Sequence, residues 1–407
     1  MIKYDGAPNR LIWARCINLD LRINRIRRSG SVVASLGVCD GCPMKNEIKC
    51  LTGLRGATAV IVMLYHFCST DSYLRPYVPN LISRGFLGVD VFFVLSGFVM
   101  ALTYAPLFKD GIAGADYKVF MVKRLARVYP LYFLITLIFV VKYNLNLSGV
   151  WPGNFHAADF VACLLMVQAW GFGFANVAGA TWSLSTEFFA YIIFPVLALC
   201  AVLARPACAM GVALTVAVSL SVIAFSDAGF EGSLDVVAWD SILPLRRCLA
   251  GFCIGLLSYR VAMMNGARKP LSSSMALFVV VAALLLAAHV EATDWVLFAL
   301  FPALVIMLFY EPALAKLTFG SRFVRHLGLV SYSLYLVHPL FVPVKARLTP
   351  LAIELLGDAA HPLVFAAVVL ASWMSAWVLY RFIEVPGRAH FQRILLRPRI
   401  AEVPSRA

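Results

Sequence analysis

Between residues 54 and 383 the chain alternates between long apolar runs and short segments that carry most of its charged side chains. Each run, of about eleven in all, has the length and composition of an α-helix that crosses ~30 Å of hydrocarbon. In hydrocarbon the backbone must satisfy its own hydrogen bonds, so such runs indicate helices rather than loops. The runs lie at about residues 54–70, 85–106, 128–145, 157–174, 183–203, 208–226, 241–259, 273–291, 294–313, 327–345 and 362–383.

The charges between the runs predict how the helices are oriented. Lysine and arginine favour the cytoplasmic face of a membrane, and the acidic segment 227–240 should then face outward. All basic segments can lie on the cytoplasmic side and the acidic segment outside only if one run does not cross the membrane. The short run 157–174 is the candidate, as a re-entrant or peripheral segment. The sequence therefore predicts an all-α integral membrane protein, a bundle of about ten transmembrane helices with both termini in the cytoplasm. The basic side chains cluster at residues 109–127, 260–269, 316–325 and 388–399.

Composition supports the same class. Hydrophobic residues make up 61% of the 407 residues and charged residues 14%, whereas soluble domains contain about 25% charged residues. The formal net charge of +14 lies mostly in the loops and leaves no separate basic domain, so we expect no nucleic-acid partner. The ten cysteines include one C-x-x-C pair, Cys39 and Cys42, without a second pair at zinc-site spacing. We therefore expect reduced, structural thiols and no metal.

The pattern divides the chain into three segments. Residues 1–43 are rich in arginine but contain no long apolar run, which predicts a disordered N-terminal segment or a misassigned start. Residues 44–390 form the predicted membrane domain, and residues 391–407 form a short basic cytoplasmic tail. The lipid bilayer is thus the first partner that the sequence predicts.

The first predicted helix carries two ionisable side chains, Arg55 and His66, on one face. At about 100° and ~1.5 Å per residue, their side chains point the same way and lie ~16 Å apart along the axis. This spacing places Arg55 at the water boundary and His66 near mid-depth, where an ionisable residue is costly and usually functional. We predict that His66 is catalytic; the alternative is a histidine that is hydrogen-bonded inside the bundle.

A second basic cluster, Lys123, Arg124 and Arg127, lies in the loop that enters the third predicted helix. Arginine binds phosphate through two parallel hydrogen bonds, so this cluster and Arg55 together predict a binding site for a nucleotide-like anionic donor. The alternative interpretation is ordinary positive-inside topology.

Two carboxylates lie inside apolar runs and need partners there. Asp90 is available to a cation or to the His66 imidazole, and the alternative is an aspartate that caps its helix. Glu187 is available to orient His66 or to bind the hydroxyl groups of an acceptor, so we include both carboxylates among the catalytic candidates. For His338 and Glu384, each of which lies close before a proline, we expect structural pairing near a helix end.

Six stretches, in this order along the chain, resemble the acyltransferase family 3 of membrane-bound O-acyltransferases. Each motif alone is weak, but six in sequence are specific, and the resemblance extends from Met44 to about Arg388. The stretches read LTGLRGA at 51–57 with His66 beyond it, GVDVFFVLSG at 88–97, KRLARVYP at 123–130, WSLSTE at 182–187, SYSLYLVH at 331–338 and FIEVP at 382–386.

The resemblance implies a core of ten membrane helices and transfer of an acyl group, usually acetyl from cytoplasmic acetyl-CoA, to a hydroxyl of a glycan or small molecule. It matches His66 to the catalytic histidine, Arg55 to the arginine of the first helix, and Arg124 and Arg127 to a pair that holds the donor. The expected partners are acyl-CoA, a glycan or glycolipid acceptor and a bacterial inner membrane, with no permanently bound cofactor. The alternatives are a secondary transporter or flippase-like protein for an envelope precursor, and a non-catalytic scaffold.

Overall fold

The computed structural model describes residues 47–144, 156–226, 234–235 and 241–396 of the chain. Within these ranges the regular secondary structure is helical, without a strand. Six helical segments have the length and hydropathy to cross a membrane, and two apolar helices are somewhat shorter. The predicted all-α membrane fold is therefore confirmed, and the predicted number of about ten spans is only approximate.

The described residues from Ile48 onward form one compact unit. The predicted segment 1–43 lies outside the described residues, as do residues 397–407 of the predicted tail 391–407 and most of the acidic segment 227–240. The principal helices are α1 Lys49–Ser69, α2 Gly88–Tyr104, α3 Gly114–Asn144, α4 Ala157–Leu164, α5 Trp182–Ala198, α6 Pro206–Ala224, α7 Leu243–Ala262, α8 Ser274–His289, α9 Asp294–Phe309, α10 Arg322–Val337, α11 Val342–Leu356, α12 Ala360–Leu379 and α13 Val385–Leu395.

Two helices begin well before the apolar runs that predicted them. Helix α1 spans Lys49–Ser69, so Arg55 lies more than a turn inside it and His66 lies in its last turn, while the depth of His66 in the membrane stays a prediction. Helix α3 starts at Gly114, so the basic cluster is part of the helix and not of the preceding loop. The reason is that an apolar run marks only the lipid-immersed part, whereas backbone hydrogen bonds continue through charged residues.

Two other segments test the assignment of crossings. Helix α4 has eight residues, or ~12 Å, which is too short to cross a bilayer, in agreement with the prediction for run 157–174. Run 327–345 is not one helix: α10 ends at Val337, before Pro339, and α11 follows. Helix α11 was missed because Lys345 and other charged residues interrupt its apolar pattern.

Glycines allow two pairs of helices to touch backbone to backbone. A Cβ atom on Gly56 of α1 would collide with the backbone of α10 at Gly328, and one on Gly328 would collide with the Thr52 carbonyl. A Cβ on Gly97 of α2 would meet the Phe252 carbonyl of α7 in the same way. Such small-residue contacts are how membrane helices approach closely. They fix α1 against α10 and α2 against α7.

The turn after α1 is tied to two later helices by a buried carboxylate. Asp71 Oδ1 accepts hydrogen bonds from the backbone amides of Tyr73 and Leu74, at 3.1 and 3.2 Å. Its Oδ2 accepts from Lys345 Nζ of α11 at 2.6 Å, and Nδ1 of His361 in α12 lies 3.1 Å from Oδ1. Asp71 and Lys345 are 5% and 2% exposed, so this is a buried, paired cluster.

The outer surface of the bundle is apolar where lipid is expected. On α6, Met210, Leu214 and Val218 lie four residues apart on one face, with 55–71% of their surface exposed. An exposed aliphatic stripe of this kind is unfavourable in water but matches hydrocarbon. The polar groups described below are therefore internal.

Candidate functional site

Helix α1 places the two predicted residues on a face that turns inward. Arg55 and His66 are both half-buried, and buried residues such as Leu54 and Val62 surround them. The close contact at Gly56 and Gly328 presses this face against α10. The shared face that the eleven-residue spacing predicted is therefore consistent with the structure, although the helix places His66 in its last turn.

A cavity of about 140 Å³ lies inside the bundle beside Arg55. It is apolar along most of its wall but contains three guanidinium groups and one carboxyl group. Its polar lining residues are Arg55, Ser96, Arg124, Arg127, Ser183, Glu187, Tyr191, Ser331, Tyr332 and Tyr335, and its apolar ones include Val89, Phe92, Phe93, Val99, Met100 and Leu184.

The two arginines of α3 reach this cavity from one side of the helix. They are three residues apart, which places them on the same face. Lys123 is exposed and does not line the cavity, because a neighbouring residue in a helix points about 100° away. The structure thus brings Arg124 and Arg127 together with Arg55, and it separates Lys123 from them.

The arginines have different neighbours. Arg127 forms an ion pair with Glu384, which is 1% exposed and also accepts a hydrogen bond from Ser333 Oγ at 2.7 Å. Arg124 donates to the Tyr104 hydroxyl at 2.8 Å, and its guanidinium lies over that ring, 4.7 Å from the centroid. Among the described residues no hydrogen bond or ion pair engages the Arg55 guanidinium.

Glu187, the carboxylate of the cavity, is held by hydroxyl groups. Ser96 Oγ of α2 and the Tyr191 hydroxyl of α5 both donate to its Oε1 atom, the latter at 2.6 Å. Within the described residues it makes no hydrogen bond to His66. No direct contact therefore supports the prediction that Glu187 orients His66. The position of Glu187 in the cavity lining favours contact with a molecule bound there.

His66 meets another histidine. Its Nδ1 atom lies 3.3 Å from Nε2 of His338, which follows α10, and the ring centroids are 5.0 Å apart. His338 is fully buried. Tyr335 lines the cavity, its ring lies 6.0 Å from that of His338, and its hydroxyl lies 2.7 Å from Ser183 Oγ. His66 and His338 do not line the cavity, and the ring contacts from Tyr335 to His338 to His66 connect its lining to the histidine pair.

Asp90 has a cation as its partner, one of the two possibilities that the sequence left open. Arg247 Nε donates to Oδ1 at 2.9 Å and Nη2 to Oδ2 at 2.7 Å, and Nη2 also reaches the Phe86 carbonyl at 3.2 Å. Asp90 is 0% exposed and Arg247 is 1% exposed. Neither residue lines the cavity. This placement favours a structural pair that joins α2 to α7, and a catalytic role for Asp90 stays a prediction.

Three residues of this region were not singled out from the sequence. Arg247 carried a detectable signal, since it is a charged residue inside the apolar run 241–259 and such residues need a buried partner. Tyr335 and Tyr191 carried none, because a tyrosine in an apolar helix is usual packing. The contact of His338 with His66 joins positions 272 residues apart, and nothing in a single sequence indicates it.

Chemically, the region joins two different environments. The cavity offers fixed positive charge in a largely apolar wall, which suits an anionic molecule with an apolar arm. Beyond Tyr335, the histidine pair offers an imidazole with accessible surface, and a neutral imidazole can take a proton or an acyl group. The two together are suited to group transfer rather than to simple binding.

Known proteins contain similar sequences. The chain is 32% identical over 160 residues to the acyltransferase MdmB of Streptomyces mycarofaciens and 29% identical over 159 residues to the putative peptidoglycan O-acetyltransferase YrhL of Bacillus subtilis. It is 26% identical over 162 residues to the peptidoglycan O-acetyltransferase OatA of Listeria monocytogenes. These alignments cover 38%, 36% and 37% of this chain.

The aligned part spans 40% of the Streptomyces protein, 23% of the Bacillus protein and 24% of the Listeria protein. No solved structure matches the chain. The family model described as an acyltransferase domain, that of acyltransferase family 3, matches residues 48–381. Because this match covers most of the 407 residues, the chain belongs to acyltransferase family 3.

Proposed function

We propose that this protein is a membrane O-acyltransferase, which transfers an acyl group, most simply acetyl, from acyl-CoA to a hydroxyl of a cell-surface glycan or glycan precursor. The observation that carries the proposal is the arginine cavity, whose lining residue Tyr335 lies beside the His66–His338 pair. Membership of the family supports the reaction class.

The charge of the cavity supports an anionic donor. A guanidinium without a carboxylate partner is unfavourable in an apolar surrounding, and a bound anion relieves that cost. Arg55 is such a group among the residues that the structure describes, whereas Arg127 is already paired with Glu384. Coenzyme A carries phosphate groups, for which arginine is the preferred side chain. We therefore assign donor binding to Arg55 and Arg124, with Arg127 positioned by Glu384.

A glycan acceptor is supported by two relatives whose names describe peptidoglycan O-acetyltransferases. The polar lining also suits an alcohol, since Glu187 and several hydroxyl groups can bind sugar hydroxyls. We place the protein in the inner (plasma) membrane of a bacterium with both termini in the cytoplasm, because the basic loops favour that side and acyl-CoA is made there.

In direct transfer, Nε2 of His66 takes the proton of the acceptor hydroxyl while the hydroxyl oxygen attacks the thioester carbon. The carbon–sulfur bond breaks, and the coenzyme A thiolate takes the proton from the imidazolium. In the alternative, Nε2 attacks the thioester and forms an acyl-imidazole, which then acylates the hydroxyl, and the hydroxyl proton ends on the thiolate. Both routes need the thioester to reach His66 from the cavity, past the Tyr335 ring, which lines the cavity and lies 6.0 Å from the His338 ring.

The test is transfer of label from radioactive acetyl-CoA to envelope glycan in membrane vesicles. Wild-type protein should label the glycan and release coenzyme A in equal amounts, and His66→Ala should abolish both without loss of expression. His289→Ala is the matched control, because this histidine is exposed at the end of α8, and it should behave as wild type. Substantial turnover by His66→Ala contradicts the proposal.

The same assay separates the alternatives. A transporter moves an envelope precursor across the vesicle membrane without release of coenzyme A, and a scaffold does neither. Mass spectrometry of envelope glycans from cells with and without the gene identifies the acceptor as the species that loses an acetyl mass.

A further inference from the structure

The contact between His66 and His338 has a hydrogen-bond arrangement that can be deduced. His66 Nδ1 lies 2.8 Å from the Val62 carbonyl oxygen, and His338 Nδ1 lies 3.1 Å from the Leu334 carbonyl oxygen. Both carbonyls belong to the residue four positions earlier in the same helix. The third contact, of 3.3 Å, joins His66 Nδ1 to His338 Nε2.

Only one distribution of protons satisfies all three contacts. A carbonyl oxygen accepts hydrogen bonds and never donates them, so each Nδ1 atom that faces a carbonyl must carry a hydrogen. Neutral His338 then has an unprotonated Nε2 atom, which accepts from the Nδ1–H of His66. The reverse arrangement would set a nitrogen lone pair of each ring against a carbonyl oxygen, which is repulsive.

This arrangement leaves Nε2 of His66 as the basic nitrogen. Among the described residues it has no hydrogen-bond partner, and it is not one of their fully buried unpaired atoms. It therefore lies on the accessible edge of the half-buried ring. His338, by contrast, is 0% exposed and can act only through its neighbours.

We infer that His338 is a positioning residue, which holds His66 with Nδ1 protonated and Nε2 directed at the reacting groups. This inference rests on the proposed function of His66. When Nε2 takes the proton of the acceptor hydroxyl, the ring becomes a cation whose Nδ1–H is shared by the Val62 carbonyl and His338 Nε2. The second acceptor stabilises the charge that develops in the transition state, as the orienting partner of a catalytic base does elsewhere.

The kinetic test compares two substitutions at one position in the full-length protein in lipid. Gln places an acceptor oxygen near the position of Nε2, whereas Phe fills the same space without an acceptor. His338→Phe should lower kcat by about 10- to 100-fold with the donor KM within about 2-fold of wild type, and His338→Gln should recover most of that loss. His326→Phe is the control, because His326 lies on α10 against Trp373, away from the pair.

A measurement without turnover tests the proton arrangement itself. Nitrogen-15 NMR of histidine-labelled protein in lipid distinguishes Nδ1–H from Nε2–H imidazole, and the His66→Gln and His338→Gln variants assign the signals. Both rings should be Nδ1–H, which is the minor form of free histidine. This NMR measurement depends neither on kcat nor on the identity of the acceptor.

The outcomes are separable. An Nε2–H form of His338 overturns the inference, and so does an equal loss of kcat in the Gln and Phe variants, which indicates packing alone. Wild-type kinetics in His338→Phe overturns it as well. If wild-type protein transfers no acyl group although both rings are Nδ1–H, the proposed function fails while the deduced hydrogen bonds stand, and His338 then has no base to position.

Discussion

The three cavity arginines are not equivalent, because each guanidinium has a different neighbour. Arg127 forms an ion pair with the buried Glu384, so the positive charge of Arg127 is balanced within the protein. Arg124 lies on the Tyr104 ring, which orients it without cancelling its charge. The Arg55 guanidinium has no hydrogen-bond or ion-pair partner among the described residues. The positive charge available to a donor therefore comes from Arg55 and Arg124.

This difference predicts opposite phenotypes for two similar substitutions. Arg55→Gln removes a charge that has no carboxylate partner within the described part of the chain, so folding should be unaffected while the donor KM rises by about 10- to 100-fold, the worth of one or two charge-assisted hydrogen bonds. Arg127→Gln leaves Glu384 buried without its cation and should destabilise the protein by about 3–5 kcal/mol. Steady-state kinetics and thermal unfolding in detergent measure the two effects.

A result in which Arg55→Gln lowers only kcat, with the donor KM unchanged, would contradict its role in donor binding. An Arg127→Gln variant that unfolded at the wild-type temperature would contradict the role of Arg127 as the counter-ion of Glu384, because Glu384 would then have another partner.

At this scale the sequence predicted which ionisable residues lie among the packed helices better than it predicted their partners. The spacing of Arg55 and His66 determines their shared face because a helix has a fixed period. The partners Arg247 and His338 lie 157 and 272 positions away from Asp90 and His66. Such contacts depend on which helices pack together, and a single sequence does not contain that information.

Among the secondary-structure elements, the pair α1 and α10 brings together the two histidines of the proposed site. Helix α1 carries Arg55 and His66, and α10 ends one residue before His338. Their glycines allow contact without intervening side chains. The distance between the two histidines is therefore set by backbone packing rather than by flexible side chains.

Gly328→Ala should disturb this distance. Its new Cβ atom would overlap the Thr52 carbonyl of α1, and relief of that overlap must move one helix. We expect a loss of stability of about 1–3 kcal/mol and a fall in kcat of about 100-fold, since a 1 Å misplacement of reacting groups costs this much. Thermal unfolding and acyl transfer measure both.

Gly211→Ala is the matched control, because no atom lies within 4 Å of the added Cβ on the lipid-facing helix α6. This control should be as stable as wild type or slightly more stable. Equal kcat values for the two variants would show that the α1–α10 contact does not determine the reaction geometry.

A second tie between elements, at Asp71, predicts a pH dependence of stability. Burial acts to raise the pKa of Asp71, but its hydrogen bonds with Lys345, the Leu74 amide and His361 outweigh it and hold the pKa below its usual value of 3.8. A carboxyl group with a depressed pKa stabilises the fold fully above its unfolded pKa and progressively less as the pH falls through the folded value.

Asp71→Asn should therefore destabilise the protein by about 3–5 kcal/mol near neutral pH, because it leaves the Lys345 ammonium buried without a counter-ion. The difference in unfolding temperature from wild type should shrink as the pH is lowered below about 4. Asp358→Asn, an exposed residue near the same face, is the control. A difference that persists unchanged at low pH would contradict the assignment.

The helix boundaries show where the elements departed from the predicted pattern. Apolar runs identified the lipid-immersed parts of α1 and α3 but not their charged first turns. They missed α11 because Lys345 is buried by a pairing with Asp71 that hydropathy does not reveal. The non-crossing nature of α4 was predictable, since charge parity required one run not to span.

On the scale of the whole molecule, the cavity arginines and His66 lie at different positions along the length of the helices that carry them. Arg55 lies near the beginning of α1 and His66 in its last turn. Arg124 and Arg127 lie in the first half of α3, after the exposed basic residues Lys109, which precedes the helix, and Lys118, which lies in its second turn. The cavity arginines therefore lie toward the helix ends that carry these basic residues, and His66 lies at the opposite end of α1.

This arrangement predicts sidedness of the reaction. Acyl-CoA, which does not cross membranes, should support acyl transfer when it is added to inverted vesicles, in which the cytoplasmic face is outward. Sealed right-side-out vesicles should give no transfer until they are made permeable. Equal labelling in both kinds of sealed vesicle would contradict a donor site on the basic side.

The glycine contact between α1 and α10 also limits how this protein can acquire a new acceptor. Two helices whose backbones touch cannot be drawn apart to admit a bulkier molecule without moving the imidazoles that they carry. Room for a larger alcohol must come from the surrounding segments, such as the turn after α1 or the short helix α4. Efforts to redirect the protein toward a different alcohol should begin there and leave Gly56 and Gly328 unchanged.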